Sequence, residues 1–423
     1  MPISNAVPVI SFDYILERME PALTVDIPNI RHMRVLREAV ETGSVSTAAE
    51  RCQLSQPAAT QAIARLEDAF GTPLLVRTSR GTAPSAAGTL LAARIGTALE
   101  HLRVGAQAAL RAETTAPRRP RQTFDRHVTA AQLKTLVAIA NNGSFTLAAR
   151  ALGVSQPTVH RTARNLEELA GIAFFRATAS GVELTPAAQF FALGVKLARA
   201  EIRQAVEEIG ALLGDDRGTF TLGMLPLART SLVARAADAL ISATRRVQIR
   251  VTDGRYAHLL RSLREGDIDC LIGALRQPAP ADDVTEEFLF EDELAIVVHA
   301  RHPLATRSSV DLAETLAFPW IAPPRDTPPG TYLFETLRIH ERKTTPVRLV
   351  FAAPALMQEM LATGNYISIV SRRKGSAETA GLVSLPIPLT DNRRAYGLTC
   401  RTGWRPTDTQ RRFIDLLRRH SAD

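Results

Sequence analysis

Lysine is almost missing from this 423-residue chain: of its 51 basic side chains only Lys134, Lys196, Lys343 and Lys374 are lysine. Cysteine is scarcer still. Cys52, Cys270 and Cys400 are far apart in sequence and match no metal-ligand spacing, so an odd, sparse set points to a reducing compartment and to thiols that serve as small apolar fillers. No stretch approaches the roughly 18 apolar residues that span a bilayer. The first residues also lack a basic start followed by an apolar run, so we expect a cytoplasmic protein with no export signal and no membrane partner. A phosphate loop, a nucleophile elbow and a converging acid–base set are missing too. These absences speak against an enzyme, a cofactor and a metal site. What is present is an ordinary globular composition, 45% hydrophobic, with mean hydropathy near zero, long enough for two to four domains. The net charge of +8 fits a polyanionic partner,. Arginine suits phosphate and base-edge contacts, although a GC-rich genome produces the same bias.

Against this background the chain repeats itself. Residues 29–88 laid over 129–188 without gaps give fourteen identities in sixty positions. They cluster at Gly43-Ser44, Ala48-Ala49, Ser55-Gln56-Pro57, Leu66-Glu67, Gly71 and Gly81 and at the same residues one hundred further on. Two copies are too few for a solenoid, so a duplicated small domain is the better account. In each copy apolar residues share one helical face, Met33, Leu36 and Val40 in the first and Leu133, Leu136 and Ala140 in the second. Gly43 and Gly143 stand where that helix should stop. A short second helix covers Ser44 to Leu54. Ser55 and Ser155 are N-cap candidates, with Pro57 and Pro157 tolerated in the turn that follows. The third helix runs from Gln56 to about Phe70, and from Gln156 to about Ala170. Leu74 to Ala83 and Phe174 to Leu184 then read as two short strands around a glycine turn, a wing.

Two helices joined by a short turn, the second with a polar leading edge, form the geometry that places a recognition helix in the major groove. The first copy offers Gln56, Thr60 and Gln61; the second offers Gln156, His160, Arg161 and Arg164. Glutamine pairs with adenine and arginine with guanine through two hydrogen bonds each. Wing arginines Arg77 and Arg80 would hold phosphates. For any one of these residues a solvated helix face is the alternative; for the duplicated pattern that alternative is much weaker.

Gly-Ser-(Val/Phe)-(Ser/Thr)-x-Ala-Ala, then Ser-Gln-Pro, then Leu-Glu-x-x-x-Gly resembles the DNA-binding domain of LysR-type transcription regulators. The resemblance implies that Gln56, Pro57, Thr60 and Gln61, or Gln156, Pro157, His160 and Arg161, face the bases of double-stranded DNA. It also implies a homodimer or homotetramer, with RNA polymerase as a further candidate partner. The duplication is a departure, because the family normally carries one such unit. Each copy also departs singly: the first has Gln61 where the family often has arginine, and the second has Ala177 in the wing, with Arg176 shifted by one. Whether both copies read DNA stays open.

The expected organisation is multidomain, two all-α winged helix-turn-helix units before an α/β two-lobed periplasmic-binding-protein-like domain. Its parts are an extension (1–28), a winged unit (29–88), a linker helix (89–112), a flexible linker (113–128), a second winged unit (129–188), a second linker helix (189–214) and an effector domain (217–423). Leu91, Ile95, Ala98 and Leu102, and then Val195, Ile202, Val206, Ile209 and Leu213, follow a spacing that suits a coiled-coil seam. It equally suits packing on the winged unit; dimerisation through the second helix is favoured. The linker, with Arg118, Arg119 and Arg121, would reach at most about 55 Å, enough to place the two units in neighbouring grooves about 34 Å apart.

From Gly218 strands and helices alternate, which argues for a parallel sheet covered on both faces. Lobe I is expected at 217–293 and 394–423, lobe II at 294–393. A clamshell of this kind resembles the LysR-family sensor, as do Arg264-Glu-Gly-Asp-Ile-Asp269 and His302-Pro303-Leu304. Ligands in such sheets bind beyond the carboxyl ends of strands, which nominates Leu225, Arg229, Thr230, Arg276, Arg325, Thr327 and Ser371 for a small-molecule effector. The pieces around Arg229 and Arg276 resemble a branch that controls sugar-binding-protein operons; sugars and aromatic or organic acids stay open. A solute-binding receptor is the competing class, disfavoured by the two DNA modules.

Overall fold

A computed structural model describes residues 27–79, 81–112, 122–178, 181–225, 230–276, 278–341, 347–351, 353–371 and 381–422. Most of the 1–28 extension, the linker arginines Arg118, Arg119 and Arg121, and the candidates Arg80 and Arg229 lie outside the described residues. The chain divides into two compact units at Thr219/Phe220.

The first unit is built twice from one plan. Helices α1 (Ile30–Thr42), α2 (Val45–Arg51) and α3 (Gln56–Phe70) lead to a hairpin, β1 (Leu75–Thr78) with β2 (Gly81–Pro84), and to the long α4 (Ala86–Ala112). The second round gives α5 (Ala130–Asn142), α6 (Phe145–Leu152), α7 (Gln156–Ala170), β3 (Phe175–Thr178) with β4 (Gly181–Leu184), and α8 (Pro186–Leu212). The repeated residues hold these elements in register. Ser44 and Ser144 cap α2 and α6 by accepting the amides of Thr47 and Leu147. Glu67 Oε1 accepts the amides of Leu74 (2.8 Å) and Leu75 (3.3 Å), tying helix α3 to its wing. Glu167 does the same for Phe174 (2.8 Å) and Phe175 (3.0 Å). On the opposite side of the wing, the carbonyls of Gly43 and Gly143 accept from Thr82 and Val182. Gly81 and Gly181 sit at φ +127° and +144°, and a Cβ there would lie 3.1 and 2.8 Å from those same carbonyl oxygens. Only glycine meets both demands.

Each copy keeps a small core of its own, and the two share a larger one. It runs from Met33 and Leu36 through Leu91, Ile95, Ala98 and Leu102 to Leu133, Phe174, Phe191, Val195 and Ile202. Two expectations change here. The stretch 113–128 is not wholly a tether: residues 124–126 form a turn of 3-10 helix whose Phe124 is fully buried. Its ring lies 4.8 Å from that of Phe191 and 6.1 Å from that of Phe174, because an aromatic side chain exposed beside an apolar groove gains more by burial than the tether loses in freedom. The seam of α8 is also occupied within the chain, since α8 packs along α4. Val195, Ile202 and Ile209 are buried there, while Leu213 lies beyond the helix end, 56% exposed. The two winged units are therefore two ends of one folded body rather than beads on a string.

The second unit is one nine-stranded sheet in the spatial order β10-β9-β11-β8-β13-β7-β5-β6, with β12 beside β8. Its strands are β5 (Thr219–Met224), β6 (Gln248–Asp253), β7 (Cys270–Ala274), β8 (Val284–His299), β9 (Trp320–Ala322), β10 (Val347–Val350), β11 (Ile367–Ser371), β12 (Leu382–Ser384) and β13 (Arg393–Arg401). Helices α9 (Thr230–Ala243), α10 (Tyr256–Glu265), α11 (Pro354–Ala362) and α12 (Asp408–Ser421) accompany them. Strands β5 and β7 are parallel, as are β9, β10 and β11. The long β8 crosses both lobes, pairing antiparallel with β13 up to Glu293 and with β11 from Leu294. The chain recrosses at Asn392, whose carbonyl accepts the amide of Leu294 (2.8 Å) and whose side chain donates to the carbonyl of Leu294 (3.0 Å). The clamshell is thus stitched at its crossing.

Cys270 and Cys400 depart from the isolated-filler reading. They face each other across β7 and β13 with their sulfurs 2.8 Å apart. Burial, and then the neighbouring Cys400, push the Cys270 thiol well up. Among the described residues no helix is long and apolar enough to cross a membrane, and no group of His, Cys, Asp or Glu side chains is placed to hold a metal ion.

Replacing Phe124 by alanine should cost the first unit about 3–5 kcal/mol, the range for emptying a buried aromatic site. Calorimetry on the full chain checks this: the transition of the first unit falls and that of the second stays. A free tether at 122–128 would leave both unchanged.

Candidate functional site

The leading edge of each third helix is prepared in the same way. Ser55 Oγ accepts the amide of Ala58, and Ser155 Oγ that of Thr158, each at 3.4 Å. Capping by the serine leaves Gln56 and Gln156 as first helical residues, at the end where free amides and the helix dipole favour an anion. The inner face of α3 (Ala59, Ala62, Ile63, Leu66) is buried, as is that of α7 (Val159, Ala163, Leu166, Ala170). Burying those faces turns Ser55, Gln56, Pro57, Thr60 and Gln61 outward, all exposed, and likewise Ser155, Gln156, Pro157, His160, Arg161 and Arg164. Every described residue that the sequence nominated on these helices is on the open side.

The two edges are chemically unlike. Thr60 Oγ1 donates back to the Gln56 carbonyl (3.0 Å), so its hydroxyl hydrogen is spent locally. In the second copy the His160 ring lies 4.5 Å from the ring of Phe145 and is steered by it. Gln156 Oε1 accepts from Thr146 Oγ1 at 3.3 Å. Sequence reasoning missed these two positioning residues; both stand on the preceding helix, where only the fold reveals their reach.

The wings differ as well. Arg77 is exposed, opposite Thr82. Arg176 faces Glu183 across the hairpin, in an ion pair of 3.0 Å with side chains 71% and 56% exposed. Such a pair adds little stability, but it opposes the arginine's charge toward an approaching phosphate.

In the second unit the nominated effector residues scatter into different roles. The Leu225 side chain is buried with Leu259, Leu263, Ile268 and Leu271, filling the space that Gly273 leaves open. The Thr327 hydroxyl is engaged in the turn, donating to the Pro324 carbonyl (2.6 Å) and accepting the Gly330 amide (3.2 Å). Arg276 lies 4.0 Å over the ring of Tyr256 and Arg325 4.6 Å over that of Phe334. Thr230 is exposed at the start of α9. Ser371, at the end of β11, is buried with its Oγ 3.5 Å from Tyr396 Oη. Tyr396 in turn pairs with Ala274, two residues before Arg276. The fold therefore gathers Ser371 and the 274–276 segment around Tyr396 at the lobe crossing. No sequence signal marks Tyr396, which reads as one residue of a returning strand.

Two family descriptions fit the chain. "Bacterial regulatory helix-turn-helix protein, lysR family" matches residues 30–89 and again 130–189, and "LysR substrate binding domain" matches 213–422. Among curated relatives, the HTH-type transcriptional regulator GalR of Pseudomonas putida is 29% identical over 384 residues, 90% of this chain and 94% of that protein. A match of that extent runs through both winged units. The regulator PcaQ of Agrobacterium fabrum is 26% identical over 285 residues, 67% of this chain and 92% of its own. Among solved structures, the LysR family transcriptional regulator CbnR covers 69% of this chain and 99% of its own at 20% identity, with a TM-score of 0.48.

Removing the carboxylate from the second wing with Glu183→Ala should release Arg176 for phosphate. The plot of log Kobs against log salt should then steepen by up to about 0.9, the increment for one added phosphate contact. An unchanged slope would mean that this wing stays clear of the backbone.

Proposed function

Because the chain belongs to the lysR family of bacterial regulators, with DNA-binding helix-turn-helix units ahead of a LysR substrate-binding domain, we propose that it regulates transcription in the cytoplasm by reading a specific DNA site through α3 and α7, under control of a small effector held between the lobes of its second unit. The observation that carries the reading is the repeated, Ser-capped and outward-facing edge of those two helices. Arg161 and Arg164 suit guanine, Gln56, Gln61 and Gln156 suit adenine, and Arg77 suits phosphate.

The effector reading rests on the lobe crossing. Ser371 and Tyr396 offer hydroxyls there, and Arg276 and Arg325 offer cations already ordered on aromatic rings. A sugar would use the hydroxyls and an aromatic or organic acid the cations. Either would act only through a difference in its affinity for two arrangements of the lobes. RNA polymerase is the partner such a regulator would address.

Gel shift with the full chain and its own upstream DNA tests the first half. A complex that survives competitor DNA is expected, and Arg161→Ala should weaken it about tenfold or more; no complex at any salt would overturn the reading. Thermal-shift screening of sugars and aromatic acids tests the second half. A true effector raises the midpoint with the logarithm of its concentration. If that effector is anionic, Arg276→Ala should weaken it roughly tenfold, as for a lost charge-assisted hydrogen bond.

A further inference from the structure

Helices α4 and α8 run antiparallel, and the residues at their crossing are matched in an unequal way. Arg94, 4% exposed, inserts from α4 among Glu201 (2.9 Å), Gln204 (2.9 Å) and Glu208 (Nε to Oε2, 3.0 Å) of α8. Burial works against its charge, but the hydrogen bonds it donates to Glu208 and Glu201 outweigh that and raise the guanidinium above its ordinary range. At the other end Gly105 of α4 meets Gly194 of α8 backbone to backbone. A Cβ on Gly194 would lie 2.5 Å from the His101 carbonyl, and one on Gly105 3.1 Å from the Gly194 Cα.

The one-hundred-residue offset makes these two places equivalent. Arg94 corresponds to Gly194, and Glu201, Gln204 and Glu208 correspond to His101, Val104 and Ala108. The winged units are thus related by an approximate two-fold axis through the α4·α8 crossing, as two subunits would be, yet the seam is not self-complementary. Pairing α4 with a second α4 would set Arg94 against His101, Val104 and Ala108, a buried cation facing no carboxylate. Pairing α8 with a second α8 would bury Glu201 and Glu208 facing no guanidinium. Uncompensated buried charge is strongly disfavoured, and polar seam residues of this kind select partners in helix pairs. Phe124, in the connection between the copies, docks against Phe191 of α8 and closes the arrangement within one chain.

Taking the DNA reading above as given, we infer that a single chain is a complete pair of unlike readers, locked together in cis by Arg94, and that its operator consists of two different half-sites rather than a palindrome. The half-site under α3 is set by Gln56, Gln61 and the methyl of Thr60, which suit adenine and thymine. The half-site under α7 is set by Arg161 and Arg164, which suit guanine.

Selection from a random duplex pool by the full-length chain, followed by sequencing, tests this. Two unlike half-sites about one helical turn apart are expected, one A·T-rich and one containing guanine. Arg161→Ala should lower discrimination roughly ten- to a hundredfold at the guanine half-site alone, and Gln61→Ala at the other alone. An inverted repeat of one half-site, or enrichment of a single half-site, would overturn the pairing in cis while leaving the DNA reading intact. No enrichment would remove both. A second test uses protein without DNA: Arg94→Glu should lower the midpoint of the first unit, and adding Glu201→Arg should restore part of it. Equal loss in the single and double variants would show that the charge match selects nothing.

Discussion

One buried guanidinium decides what the first half of this molecule is. Without Arg94 the helix after the first winged unit could pair with its own kind, while Glu201 and Glu208 of α8 would be left without a cation. With it, one rod carries the cation and the other the carboxylates, and apolar packing along Leu91, Ile95, Val195 and Ile202 can close in only one combination. The hydrophobic effect supplies most of the stability of this seam because it is proportional to area and indifferent to partner. Selectivity comes from the few polar groups that packing alone would not tolerate.

Everything toward the nucleic acid follows from that closure. Once α4 and α8 are fixed, each winged unit is held on them by the shared apolar core, and inside each unit the Glu67 or Glu167 clasp holds the wing to the reader helix that Ser55 or Ser155 caps. The reader edges then need no further ordering on binding, which spares the loss of freedom that a tethered pair would meet. The second unit works by a different logic. Its lobes are joined where β8 and the segment entering β13 cross, stitched by Asn392, and the side chains nearest that crossing feel any change in lobe angle first.

The sequence made the local plan legible and left the pairing hidden. The starts and ends of α3 and α7 and the wings could be placed from caps, glycines and periodicity, because those signals act over three or four residues. The gap-free repeat foretold two copies. It could not foretell that α8 would take α4 as its partner, since a heptad-like seam names no partner and Arg94 looks like any helix arginine until Glu201 and Glu208 are brought beside it. Phe124 was hidden in a proline- and arginine-rich stretch whose composition reads as a tether. Among the effector candidates the sequence did not show which are taken up by packing: Leu225 fills the space over Gly273 and Thr327 caps its own turn. Loops after strands narrow the search, yet which side chain there turns inward depends on the neighbouring strand, and Tyr396 arrives from the far end of the chain.

The most direct measurement of the account is the thermal midpoint of the first unit in the full-length chain as a function of protein concentration. Pairing within one chain is unimolecular, so the midpoint should stay constant over a hundredfold dilution. A midpoint that falls steadily on dilution would mean that α4 and α8 meet between chains, and the single-chain reader pair would be wrong.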